Sequence, residues 1–228
     1  MTIAEAHMAF KFGLDKIDSL NYPGFLPEEI DLLLNQGYRR YIKQCYGLTN
    51  VKKQSFEETQ KRTEDLKGVI IATNLIPLAY DTLNIDSNAR FVTLPLDHWF
   101  IIQERVEVSY IDCNGIVKVS IIEVRPTQHL EFDKVINDAF KRPDNTKVLR
   151  LMENNQVELI SSTGVTITQY RLRYLKQPVI VNLLAGITFE TSDHTHQEII
   201  DTTIVLALEG IEAKRTGSFT QIVDNQKE

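Results

Sequence analysis

With 228 residues, 43% of them hydrophobic and 25% charged, the chain is long enough for one sizeable domain, or one with an insertion, of ordinary soluble composition. A net charge of -6 and a pI near 5.5 argue against a protein whose main task is gripping nucleic acid, although not against one that DNA slides past. The two cysteines, Cys45 and Cys113, have no metal-ligand spacing and are expected as reduced thiols, and neither a signal peptide nor a membrane span is expected.

Thr2 with Glu5 forms a capping-box pattern, and Phe10, Leu14 and Ile17 recur at helical spacing, which predicts a helix from Ile3 to Leu20. Tyr22-Pro23-Gly24 breaks it. Pro27 suits the first position of a second helix, where its missing amide would be unpaired anyway. Ile30, Leu33, Leu34, Tyr38, Tyr41, Ile42 and Cys45 hold the 3-4 spacing until Gly47. Ser55 and Glu58 introduce a third helix, Phe56 to Ile70, whose thin stripe of Phe56, Leu66 and Ile70 suits an exposed position or burial within an assembly.

From Arg90 the period changes to that of strands: Phe91 to Leu94, Trp99 to Tyr110 and Ile116 to Val124, with Asn114-Gly115 as a hairpin turn. Val106, Val108 and Tyr110 are expected to pair onto Val117, Val119 and Ile121. A short helix follows from Phe132 to Phe140, ended by Lys141-Arg142-Pro143. Lys147 to Met152 and Val157 to Ile160 read as a second hairpin, and Val165 to Tyr174 as a further strand finishing before Pro178.

In that last strand Tyr170, Leu172 and Tyr174 alternate with Arg171, Arg173 and Leu175. Beyond Gly186 and the cap-forming Ser192-Asp193, a helix is expected from Thr195 to Arg215, with Glu198 and Asp201 near its start and Lys214-Arg215 at its end. Its stripe of Ile200, Ile204, Ala207, Leu208 and Ile211 is widened by Ile199, Val205 and Leu206. Such width suits a core helix, or one that also packs on a neighbouring subunit.

These elements predict an α+β fold. N- and C-terminal helices (residues 1–75 with 190–215) form a helical bundle, residues 90–189 a central antiparallel β-rich insertion, and residues 216–228 a polar tail.

The sequence holds no glycine-rich phosphate loop, Gly-x-Ser-x-Gly elbow or His-Glu-x-x-His pair. One constellation remains, Asp193, His194, His196, Glu198 and Asp201. Two imidazoles that are two residues apart share a face only if the backbone stays extended, whereas at a helix start they diverge. A solvated helix entrance is therefore expected rather than a metal site, and no catalytic residue, metal or cofactor is assigned.

The order of late strand, Lys176-Gln177-Pro178, irregular loop, His196-Gln-Glu-Ile-Ile-Asp, apolar helix and Ala213-Lys214-Arg215 resembles virion structural proteins of crAss-like tailed bacteriophages. The opening Met1-Thr-Ile-Ala-Glu-Ala-His-Met and the Tyr22-Pro-Gly-Phe-Leu-Pro-Glu-Glu-Ile segment are similar to the start of ring proteins stacked beneath the portal. The resemblance implies a non-enzymatic subunit of the head-tail connector, in a homo-oligomer ring, by resemblance a dodecamer. Its implied partners are the portal protein and other connector or tail ring proteins. DNA would pass through without specific binding, no membrane would be involved, and the chain would fold in the host bacterial cytoplasm before entering the virion. A tail-tube or tail-completion subunit is the alternative, with a small metal-dependent enzyme using His194 and His196 behind it. Candidate assembly contacts are Tyr170, Arg171, Arg173, Tyr174, Arg39, Arg40, Ile199 and Leu206, the basic ones steering toward acidic partner faces.

Overall fold

Helix α1 (Ile3–Ile17) starts at a reciprocal cap: the Thr2 amide donates to Glu5 Oε2 at 2.8 Å and the Glu5 amide to Thr2 Oγ1 at 3.3 Å. Helix α2 (Pro27–Tyr46) is capped by Glu29, whose Oε2 accepts the Leu26 amide at 2.8 Å, and it ends where the Gly47 amide closes on the Lys43 carbonyl. The computed structural model describes residues 1–17, 24–47, 57, 60–78 and 86–210. The expected end of the first helix at Leu20, the Ser55–Glu58 capping box, the end of the last helix at Arg215 and the polar tail lie outside these residues.

The chain divides into two units, a helical one from residues 1–69 and 178–228 and a sheet one from residues 70–177. In the helical unit, α1 buries Ile3, Ala6, Phe10 and Leu14, while α2 buries Ile30, Leu34, Tyr38, Tyr41 and Ile42, as its 3-4 spacing requires. Helix α3 (Gln60–Leu66) is a short segment followed by a 3-10 turn through Val69. Helix α5 (His196–Gly210) lies against both α2 and α1. Two neighbours explain its wide stripe, and Ile199, Ile200, Thr203, Ile204 and Leu208 are all buried.

Residues 178–192 return to the helical unit because α2 binds their backbone. Asn35 Nδ2 donates to the Val181 carbonyl at 2.9 Å, and Asn35 Oδ1 accepts the Val181 amide at 2.8 Å. Asp31 Oδ2 accepts the Leu183 amide at 3.1 Å, its Oδ1 faces His7 Nε2 at 2.8 Å, and Tyr38 Oη accepts the Glu190 amide. Asn35→Ala should cost about 2–3 kcal/mol, because it leaves both polar groups of the buried Val181 without their partner. Urea unfolding, together with faster exchange of the Val181 amide, would measure it.

Seven strands form one sheet in the order β1-β7-β3-β4-β5-β6-β2: β1 (Ile70–Leu75), β2 (Ala89–Thr93), β3 (His98–Ile111), β4 (Val117–Pro126), β5 (Lys147–Glu153), β6 (Gln156–Ile160) and β7 (Val165–Lys176). Val92, Val106, Val108, Val124, Leu159 and Leu172 share one core, against which Ile71 and Leu75 pack. Both edge strands reach this core, so the sheet curls around it. Helix α4 (Phe132–Asn137) covers the outer face of β5, β6 and β2 through Phe132, Val135 and Ile136 on Leu149, Leu151 and Ile160.

The structure corrects three expectations. The third helix does not reach Ile70: the β-branched run from Ile70 enters the sheet as β1, paired antiparallel with β7. The insertion is not wholly antiparallel, because β4 and β5 pair in parallel across the α4 connection.

The third correction is the register of the first hairpin, in which Val106, Val108 and Tyr110 sit opposite Ile122, Ser120 and Lys118. Asp112 Oδ1 accepts the Asn114 and Ile116 amides, the Gly115 amide closes on the Asp112 carbonyl, and Gly115 takes φ 76°. This makes a turn with a left-handed glycine bulge in place of a two-residue turn. A one-residue change of register moves a strand's side chains to the other face. Val117, Val119 and Ile121 therefore stand outside the core, 65%, 62% and 46% exposed.

Candidate assembly surfaces

Alternation along β7 separates the candidate residues of the late strand. Tyr170 and Tyr174 point into the core of the sheet unit, where the Tyr170 hydroxyl donates to Glu104 Oε2 at 2.7 Å and the Tyr174 hydroxyl to Asp97 Oδ1 at 2.9 Å. Ile199 is wholly buried in the helical unit, and Leu206 is half-buried. Tyr170, Tyr174 and Ile199 are thus core residues of this chain. The surface members of the set are Arg171 and Arg173 in the sheet unit and Arg39 and Arg40 in the helical unit.

Arg39 and Arg40 are exposed on α2, where they line a shallow basic surface with Gln36, Lys43 and Gln44. Arg40 reaches Glu209 of α5 at 3.4 Å. Exposed pairs of this kind contribute little to stability, about 0–1 kcal/mol.

Arg171 and Arg173 belong to a larger arrangement. The outer face of β1, β7, β3 and β4 carries one cross-strand row of Asn74, Arg171, Arg105 and Glu123, and a second of Ala72, Arg173 and Gln103. Ala72, Asn74, Gln103, Ile121 and the three arginines line a shallow depression there. Arg105 sits directly opposite Arg171, a like-charge pair that weakens a sheet when nothing offsets it. Arg171 gives one nitrogen to Glu107 Oε2 at 2.5 Å, yet its Nε is buried without a hydrogen-bond acceptor. Beside the arginines run the apolar side chains of Ile121, Val119 and Val117.

The core face of the same unit holds an ion pair. Arg150 of β5 reaches Glu104 at 2.9 Å, with both side chains largely buried, and Tyr170 completes the group. Burial holds the Glu104 carboxyl above the ordinary glutamate range, against the lowering effect of Arg150.

The histidines near the start of α5 go to different places. His194 Nε2 meets Asp65 Oδ1 at 2.7 Å, while the buried His196 turns Nε2 to the Thr191 carbonyl at 3.0 Å. Among the described residues no three His, Cys, Asp or Glu side chains group as metal ligands. Cys45 and Cys113 are free thiols, and burial pushes that of Cys45 up to about 11.

Arg105 escaped the sequence reading because only long-range pairing brings it to Arg171. Its alternation with Val106 and Val108 was the available signal, since it assigns the arginine to the face opposite the core.

The sequence matches the family model described as phage tail ring protein 3/4 over residues 1–218. It is also 23% identical over 201 residues to Ring protein 4/5 of Bacteroides phage crAss001, an alignment that covers 86% of this chain and 80% of that protein.

Proposed function

As the chain belongs to the phage tail ring protein 3/4 family, we propose that this structural virion protein forms a homomeric ring in the head-tail connector below the portal, around the DNA channel. The family match across residues 1–218 carries the reading. The exposed arginine and apolar surfaces support it, since arginine is enriched at protein interfaces.

The mechanism is geometric. Each copy uses two different patches, one for each neighbour, and the repeated heterologous contact closes a ring when the rotation per copy divides the circle. A dodecamer would match the portal. The terminal helices form a bundle that docks on the portal side or on the next ring. DNA passes through without specific binding, in keeping with a net charge of -6. The chain folds in the host cytoplasm and acts without catalysis, metal or cofactor.

Mixing the purified chain with portal protein and imaging the product tests this reading. Rings seated on the portal are the expected result. A chain that stays monomeric and leaves the portal bare at micromolar concentration contradicts it.

A further inference from the structure

We propose that the outer face of β1, β7, β3 and β4 is one half of the subunit contact, and that it receives the helical unit of a second copy of this chain. The inference rests on the ring reading above and adds to it the two surfaces that meet.

Three observations point to a protein occupant. Arg105 and Arg171 are held opposite each other across two strands, and with Arg173 they set three arginines against the Glu107 and Glu123 of the same face, an excess of positive charge that an incoming carboxylate balances. Arg171 keeps a buried Nε that lacks an acceptor. The adjoining ladder of Ile121, Val119 and Val117 is apolar and exposed, which suits a protein surface and not a phosphate backbone. Basic residues with an apolar border, arginine in place of lysine, match the usual composition of a desolvated contact.

Charge selects the second copy as the occupant. The helical unit's residues include 18 acidic and 13 basic side chains, whereas the sheet unit is nearly balanced at 13 and 12. The acidic excess of the chain therefore lies almost wholly in the unit that would meet the arginines. The same unit exposes Met8 and Phe12 on α1 and Leu26 and Leu32 at the start of α2, with Glu5 and Glu28 also exposed. It thus offers acidic side chains to the arginines and apolar ones to the exposed ladder of Ile121, Val119 and Val117. Two unlike patches on one chain make a heterologous contact, the kind a ring requires.

The test places a photo-crosslinking amino acid at Gln103 in the full chain and mixes isotopically heavy and light copies. Mixed-isotope crosslinks to residues of the helical unit are expected. The paired change Arg105→Glu with Arg173→Glu should lower their yield about tenfold or more, and Arg105→Gln with Arg173→Gln should lower it less, because only the first repels the acidic surface. Circular dichroism confirms that each variant remains folded.

Mixed-isotope crosslinks confined to the sheet unit overturn the proposal. So does their absence at the highest soluble concentration, an unchanged yield in the Glu variant, or preferential crosslinking to added duplex DNA. If any of these occurs while the chain is still found as a ring in virions, the assignment of surfaces fails and the ring reading stands. If the chain is absent from virions, the ring reading itself fails.

Discussion

Gly37→Leu is expected to prevent the helical unit from reaching its native packing, and even Gly37→Ala should lower its stability. A Cβ on Gly37 would lie 2.1 Å from Thr203 Oγ1 and 3.1 Å from the Thr203 Cα, so a backbone as well as a side chain stands in the way. Thr203 cannot turn aside without loss, because its hydroxyl donates to the Ile199 carbonyl at 2.8 Å inside α5. Relieving the contact means separating α2 from α5 along their shared seam. Overpacking costs about 1–3 kcal/mol for a small added group, while replacing a helical glycine by alanine returns about 1 kcal/mol. Alanine should thus give a net loss of up to about 2 kcal/mol. Leucine, with three more carbons at the same point, should exceed what a marginally stable unit tolerates. Urea denaturation with the midpoint read by circular dichroism measures both. An unchanged midpoint for Gly37→Leu would mean that α2 and α5 do not approach this closely.

Arg150→Met carries the second large effect. It removes the positive partner of Glu104, leaving a carboxylate among Tyr170 and the strand core with only the tyrosine hydroxyl to satisfy it. Breaking a buried pair from one side costs about 3–5 kcal/mol. Glu104→Gln together with Arg150→Met should recover most of that loss, because no buried charge then remains.

The same pair predicts a pH dependence. The carboxyl of folded Glu104 is held above its unfolded value, so in that window the folded state binds more protons than the unfolded state. Its contribution is fully present below the ordinary glutamate range and is lost as pH rises through the folded value. Arg150→Met should extend the loss to higher pH, because the lowering influence of the guanidinium is gone. Denaturation midpoints measured across the acidic range should therefore fall more steeply with rising pH in the variant. Because other carboxylates, Asp112 and Asp138 among them, are held below their ordinary range and act in the opposite sense, the difference between variant and wild type is the test, and a difference that rises with pH would contradict this placement of Glu104.

Much of this fold was legible because burial repeats at the period of each element. In α2 the spacing from Ile30 to Ile42, begun at Pro27, carried both the helix and its buried side. For α5 the over-wide stripe announced two neighbours, and the structure supplies them as α1 and α2. Alternation in β7 likewise separated the tyrosines from the arginines. The candidate contacts nevertheless drew on both faces, and the structure keeps Tyr170 and Tyr174 for the core.

The rest depended on interactions that local pattern does not contain. Asn114-Gly115 marks a turn, but the register was decided by the Asp112 side chain, which captures two amides and adds a bulge. That single residue turned Val117, Val119 and Ile121 outward. Strand β1 was hidden because six residues with a mixed burial pattern take their identity from β7, their partner a hundred residues later in the chain. Arg105 was hidden for the same reason. Gly37 did leave a trace, since a glycine inside a strongly periodic helix often marks a close approach.

The most direct measurement is a density map of the intact virion at a resolution that separates helices from strands. This α+β chain is expected there as a closed ring of identical copies below the portal, encircling the DNA path. Virions that lack the chain, or that carry it only as scattered single copies away from the connector and tail, would contradict it.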